Sequence, residues 1–209
     1  MIRTEHKEDK WIFQFIKYEN RFSTGKIPLI VLLHGAGERG DGSDLSNMEH
    51  AFTERFRNDT THECMIVMPR CPWDTFWVAK VESILAFIEQ IKSEFDVDEK
   101  RIYLTGLSMG GFGTWFTAMA KPELFAAIVP ICGGGMEWNA NVLTMPVQTF
   151  HGVDDDVVPV CHTDNMVAKM KSLGLDVTYT RIPNAGHEIW NDIYTPELLE
   201  WMLSKHKGD

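Results

Sequence analysis

The sequence predicts an α/β fold, a mostly parallel sheet with helices on both faces. Three observations predict it. The runs "IPLIVLLHG" (27–35) and "CMIVMP" (64–69) are continuously apolar, as strands buried on both faces must be. Stretches of helical period separate such runs along the chain. And the glycine-bearing polar motifs each follow an apolar run, where parallel sheets gather their working groups, beyond the strand C-terminal ends.

The elements follow in order. Alternation in "WIFQFIKY" (11–18) predicts a half-exposed strand. The two apolar runs are the next strands. Residues 77–95 predict a helix with Val78, Val81, Leu85, Ile88, Ile91 and Phe95 on one stripe. A strand "RIYLTG" (101–106), a helix from about Met109 to Ala120 and a strand "AAIVPIC" (126–132) come next. The strand "PVQTFHG" (146–152), a helix near 162–173 and the strand "DVTYTRIP" (176–183) complete the sheet. The last helix is "TPELLEWMLSKH" (195–206), with Thr195 as N-cap and Pro196 in its first turn. The chain shows no repeat or linker, so its 209 residues read as one domain.

Composition narrows the function. The formal net charge is −10 and no long basic run occurs, which argues against nucleic acid or an anionic membrane as partner. The N-terminal "MIRTEHKEDKWIFQFIKY" has no apolar stretch long enough for a signal peptide, and no apolar run anywhere approaches a membrane span. The four cysteines (Cys64, Cys71, Cys132, Cys161) have no CxxC spacing and read as reduced thiols of a cytoplasmic protein. Oligomeric state has no signature in the sequence.

"GLSMGG" (106–111) fits G-x-S-x-G and lies between a predicted strand and a predicted helix. That context calls for a sharp turn that lifts the Ser108 hydroxyl above the sheet, with glycines where a Cβ would clash. A bare G-x-S-x-G also describes a glycine-rich turn whose serine only caps a helix. A nucleophilic serine needs a base beside it. Among eight histidines, His187 in "PNAGHEIW" follows the strand 176–183 and stands on the same rim. His34 and His151, each before a glycine at a strand end, are its rivals, and each also reads as a buried histidine fixing a turn.

An imidazole base is held by a carboxylate. "HGVDDDVVP" (151–159) supplies three adjacent aspartates after a strand, which makes the chain order serine, acid, histidine. The triplet lacks the alternate spacing and later glutamate of a calcium loop. For the oxyanion of acyl transfer, the backbone N–H of Met109 is one expected donor. The loop "HGAGERG" after the second apolar run supplies the other, at Ala36 or next at Gly37.

Together the segments "LLHGAGERGDG", "RIYLTGLSMGGFGTWFTA", "LFAAIVPICGGG", "HGVDDDVVPV" and "IPNAGHEIWN" resemble the α/β-hydrolase superfamily. More narrowly the chain is similar to the small bacterial serine esterases grouped with phospholipase/carboxylesterases, and to the "predicted peptidase" or feruloyl- and acetyl-esterase-like proteins. The resemblance runs from about residue 27 to 192. The group's acid motif H-G-x-x-D-x-x-V-P places the acid on Asp155, with Asp154 and Asp156 as neighbours that a one-residue slip would promote. Only about 13 residues separate the strand 126–132 from the next, so the resemblance implies an α/β-hydrolase fold with no lid domain and an open site. Trp73, Trp77, Trp138 and Trp190 fall near rim loops and are expected to offer an aromatic platform, or else to pack. The long connection from 36 to 63 is expected to border the cleft.

The implied function is a serine carboxylesterase acting on a small-molecule ester with a short-chain or aromatic acyl group. The mechanism needs no metal or organic cofactor. A serine peptidase of the same fold, or a non-catalytic binding protein on the same scaffold, are the alternatives.

Overall fold

A computed structural model describes residues 1–22 and 24–208. Its sheet has eight strands: β1 (Ile2–His6), β2 (Phe15–Asn20), β3 (Ile27–Leu33), β4 (Cys64–Pro69), β5 (Val97–Leu107), β6 (Ala127–Ile131), β7 (Val147–Gly152) and β8 (Val177–Ile182). Their order across the sheet is β1-β2-β4-β3-β5-β6-β7-β8. The pairs β1–β2 and β2–β4 are antiparallel, and every later pair is parallel. The helices are α1 (Ala51–Asn58), α2 (Val81–Glu94), α3 (Met109–Ala120), α4 (Cys161–Ser172), α5 (Trp190–Ile193) and α6 (Pro196–Leu203).

The period of the strands divides the core in two. Leu29, Val31 and Leu33 of β3 point to one face, packed with α2, α3 and α4. Ile30 and Leu32 point to the other, packed with α1, α5 and α6. Every residue of β3 is buried, which explains a run with no polar alternation. This is the mostly parallel sheet with helices on both faces that the sequence predicts.

Several boundaries differ from expectation. The strand expected at 11–18 starts only at Phe15, because Trp11 and Phe13 occupy bends that fold both rings into the core. β1 went unpredicted; its residues IRTEH form an edge strand too polar to show in hydropathy. The helix expected from 77 starts at Val81 after a 3-10 turn at Trp77–Ala79. Its buried stripe is Ile84, Phe87, Ile88 and Ile91, spaced i, i+3, i+4, i+7, while Val78 is exposed. α6 ends at Leu203, short of 206, and the Thr195 hydroxyl caps it by accepting from Leu198 N–H at 3.4 Å.

The connection from β6 to β7 holds only a 3-10 turn at Glu137–Val142. The connection from β3 to β4 holds α1 and two 3-10 turns, the first at Ala36–Glu38. Among the described residues, no helix is long and apolar enough to cross a membrane.

Candidate active site

The G-x-S-x-G turn is a consequence of close packing. β5 ends at Leu107 and α3 begins at Met109, leaving Ser108 alone to reverse the chain. Ser108 does so at φ 56° and ψ −117°, a backbone state that side chains avoid. Both glycines are required. A Cβ on Gly106 would stand 2.5 Å from the Gly110 carbonyl oxygen, and one on Gly110 would stand 1.9 Å from that of Leu33. The first turn of α3 therefore lies directly on the end of β3, and the Ser108 side chain is left half-buried at the sheet rim.

His187 reaches that rim through a second close approach. A Cβ on Gly152, the last residue of β7, would lie 2.1 Å from the Gly186 carbonyl oxygen. The Asp154 N–H donates to the Ala185 carbonyl at 3.0 Å. The loop after β7 and the loop after β8 are thus clasped, which brings an aspartate and a histidine 32 residues apart into contact. His187 Nδ1–H donates to Asp155 Oδ2 at 2.7 Å. The Ser108 hydroxyl lies 2.8 Å from His187 Nε2, placed to donate to it.

Of the three aspartates only Asp155 is buried; Asp154 and Asp156 are exposed. Asp155 Oδ1 accepts the N–H groups of Val157 and Val158 at 2.9 and 2.8 Å. Burial pushes its carboxyl pKa up, but the hydrogen bonds from His187, Val158 and Val157 outweigh it and hold the pKa below the usual carboxylate value. Asp155 therefore carries a negative charge behind the imidazole at neutral pH.

The rival histidines serve elsewhere. His34 is buried, with Nδ1–H donating to the Gly35 carbonyl at 2.6 Å and Nε2 accepting the Cys71 N–H at 2.9 Å. Burial pulls its pKa down to about 4. It is a neutral strut between the loops after β3 and β4. His151 is buried behind Asp155, with Nε2 at 3.2 Å from Oδ2.

Met109 and Ala36 are the first residues of α3 and of the 3-10 turn, so neither N–H has an acceptor inside its own helix. Ala36 and Gly37 are exposed and Met109 is buried. A Cβ on Gly35 would lie 3.0 Å from Leu107, which sets the Ala36 turn against the Ser108 turn. Two residues that the sequence did not single out hold this turn. Arg70, buried after β4, donates to the Glu38 carbonyl at 2.5 Å, to Asn47 Oδ1 at 2.6 Å and to the Asp44 carbonyl. The Glu38 carboxylate lies 2.8 Å from His50 Nε2.

The tryptophans separate into three cases. Trp73 and Trp138 are each 70% exposed, in the connections that follow β4 and β6 at the Ser108 end of the sheet. Trp77 is a correction: it is fully buried and donates Nε1–H to the His34 carbonyl at 3.0 Å, so it belongs to the core. Trp190 is also buried, but its ring meets the His187 ring edge-on at 5.5 Å. It also meets His50, from the connection between β3 and β4, at 6.5 Å.

Among the described residues, Cys132, His151 and Asp155 bring three potential metal-ligating atoms within 4.8 Å of one another. The cluster is internally satisfied. Burial holds the Cys132 thiol protonated, with a pKa pushed up to about 12, and both His151 nitrogens have hydrogen-bond partners.

Comparison with known proteins identifies the family. Residues 78–195, more than half of the chain, match the family model described as phospholipase/carboxylesterase. The bifunctional acetylxylan esterase/xylanase of Neocallimastix patriciarum is 30% identical over 138 residues, covering 63% of this chain and 20% of that protein. Poly(3-hydroxyalkanoate) depolymerase C of Paucimonas lemoignei is 28% identical over 156 residues, covering 68% of this chain and 36% of that protein. The crystal structure of a thermostable esterase superposes with a TM-score of 0.84 at 31% identity, covering 98% of this chain and 63% of that one. The chain thus spans less than two thirds of the length of each of these three relatives.

Proposed function

The chain belongs to the phospholipase/carboxylesterase family of α/β-hydrolase esterases, and from that premise we propose that it is a serine carboxylesterase that works through an acyl-enzyme. The observation that carries the proposal is the unbroken hydrogen-bonded chain from Ser108 Oγ through His187 to Asp155, at 2.8 and 2.7 Å.

Ser108 Oγ attacks the ester carbonyl carbon while His187 Nε2 takes the hydroxyl proton. The carbonyl π electrons move to oxygen, where the N–H groups of Met109 and Ala36, with Gly37 next in line, receive the negative charge. Such donors each lower the barrier by about 3 kcal/mol. Collapse of this intermediate expels the alcohol, which receives the proton from His187. Water then attacks the acyl-enzyme with the same histidine as base, and the carboxylic acid leaves Ser108. Asp155 stays ionised throughout and stabilises the imidazolium that forms twice per cycle.

A short-chain or aromatic acyl group suits a rim with no inserted lid and with Trp73 and Trp138 exposed. Two relatives named as an acetylxylan esterase and a poly(3-hydroxyalkanoate) depolymerase support an ester substrate. One sheet runs through the chain, which supports reading it as a single domain. Its four cysteines are free thiols, one of them exposed, which supports a reducing, cytoplasmic setting.

The test is Ser108→Ala against a short p-nitrophenyl ester, beside labelling of the wild type with a fluorophosphonate. Loss of turnover with the melting transition retained, and labelling confined to Ser108, is expected. Turnover near the wild-type rate in the variant defeats the proposal.

A further inference from the structure

The triad accounts for one of the two histidines that touch Asp155. The other, His151, is the last residue but one of β7 and is wholly buried. Its Nε2 lies 2.8 Å from the Val158 carbonyl and 3.2 Å from Asp155 Oδ2. A carbonyl and a carboxylate are both acceptors, so Nε2 must carry a proton. Its Nδ1 lies 2.7 Å from the Thr163 hydroxyl, which also stands 2.6 Å from the Gly133 carbonyl. Burial works against a cation at this ring, and its pKa is held below the ordinary histidine value. A neutral ring with its proton on Nε2 leaves Nδ1 as an acceptor beside the Thr163 hydroxyl, which donates to the Gly133 carbonyl.

Asp155 Oδ2 thus accepts His187 Nδ1–H at 2.7 Å and has, 3.2 Å away on another side, His151 Nε2, whose N–H is given chiefly to the Val158 carbonyl and lends Oδ2 a partial positive charge. Oδ1 is already filled by two backbone donors. We propose that His151 is a positioning residue for ester hydrolysis: it fixes the rotation of the Asp155 carboxylate and draws part of the Oδ2 charge away from His187. The proposal rests on the Ser108–His187–Asp155 reading above. His151 does not approach the reacting atoms and acts only through Asp155.

The groups that face this carboxylate are His151 from β7, His187 from the loop after β8 and Cys132 after β6, whose thiol burial keeps protonated. Removing the His151 donor leaves more charge on Oδ2 facing His187. The imidazolium is then favoured, so the acid limb of kcat/KM moves to higher pH. The carboxylate also loses its brace, so kcat falls while KM is little changed.

The experiment compares His151→Met, which fills the space without a donor, with His151→Gln, which places an N–H donor near the Nε2 position. Each is measured for kcat, KM and the pH profile on a short p-nitrophenyl ester, after a melting curve shows that it is folded. His151→Met is expected to lose about tenfold or more in kcat, with the acid limb displaced upward. His151→Gln is expected to restore most of the rate and return the limb to its wild-type position. A folded His151→Met with wild-type kcat overturns the proposal, as does a slower one whose acid limb is unmoved or lower. Equal impairment of the two variants also overturns it, because that marks a packing role alone.

Should neither variant fold, nitrogen-15 spectroscopy of the wild type reads the same proposal. Nε2 of His151 protonated at neutral pH supports it, and an unprotonated Nε2 removes the N–H dipole facing Asp155 and ends it. Ser108→Ala separates the two levels. If that variant keeps turnover, the triad reading falls; if it is inactive while His151→Met is unaffected, only the role of His151 falls.

Discussion

At the scale of single residues, burial decides between neighbours of identical chemistry. Asp154, Asp155 and Asp156 differ only in where the turn points them, and Asp155 alone is taken out of water and given three donors. Asp155→Asn should therefore cost on the order of 10³-fold or more in kcat, because an amide N–H facing Nδ1 favours the wrong tautomer of His187. Asp154→Asn and Asp156→Asn should each change kcat less than about threefold, as expected of solvated charges. Steady-state rates of the three variants on one ester check this, and a dead flanking variant would move the acid by one residue. The residues that meet here were legible because each lies in a short local pattern: G-x-S-x-G, the acidic triplet after a strand, a histidine after the last strand. Trp77 was not legible in the same way. Its position after β4 matches that of Trp73, and only the tertiary packing of α3 on the 3-10 turn places one ring in the core and the other in solvent.

At the scale of elements, the site is made by strand ends that touch at glycines. Where α3 crosses the end of β3 the backbones leave no room for a methyl group, since a Cβ on Gly110 would overlap the Leu33 carbonyl. Gly110→Ala should destabilise the fold by about 3 kcal/mol or more, a fall in Tm of roughly 10 °C. Gly37→Ala is the control for stability, because nothing lies within 4 Å of its Cβ direction. Thermal melts of the two variants separate a steric requirement from mere flexibility, and an unperturbed Gly110→Ala would show that the strand and helix are not held this closely. Elements whose burial is written in a local pattern, the apolar runs of β3 and β4 and the glycine motif that opens α3, were legible within one or two residues. β1 and α1 were not. β1 is an edge strand stabilised by pairing with β2, and α1 is eight residues long and buries only Phe52, Thr53 and Phe56, too few to establish a helical stripe.

At the scale of the whole molecule, the same burial that organises the site makes the fold sensitive to acid above the carboxylate range. His34 titrates at about 4 in the folded chain against an ordinary 6.5, chiefly because burial disfavours its cation, with the Gly35 carbonyl and Glu38 acting the other way. Its depressed value means that the unfolded chain binds a proton that the folded chain refuses. The stabilisation is whole above about pH 6.5 and is lost as pH falls toward 4, on the order of 3 kcal/mol for this one ring. His6 and His151 are shifted in the same direction, also mainly by burial, and steepen the same window. The carboxylates act lower. Burial raises the pKa of Glu38 and of Asp155, but hydrogen bonds from His50 and from His187 prevail and hold both below their ordinary values. Their contribution is present above the ordinary carboxylate pKa and disappears as pH falls through the depressed one. Tm measured from pH 8 to pH 3 should accordingly begin to fall near 6.5, before any carboxylate is protonated. His34→Gln, which keeps an acceptor for the Cys71 N–H but cannot titrate, should flatten the slope between 6.5 and 4 without removing it, since two other histidines remain. A wild-type Tm that stays level down to the carboxylate range would mean that His34 is hydrated in solution. The strut between the loops after β3 and β4, and with it the placement of the Ala36 turn beside Ser108, would then be looser than the hydrogen bonds at 2.6 and 2.9 Å require.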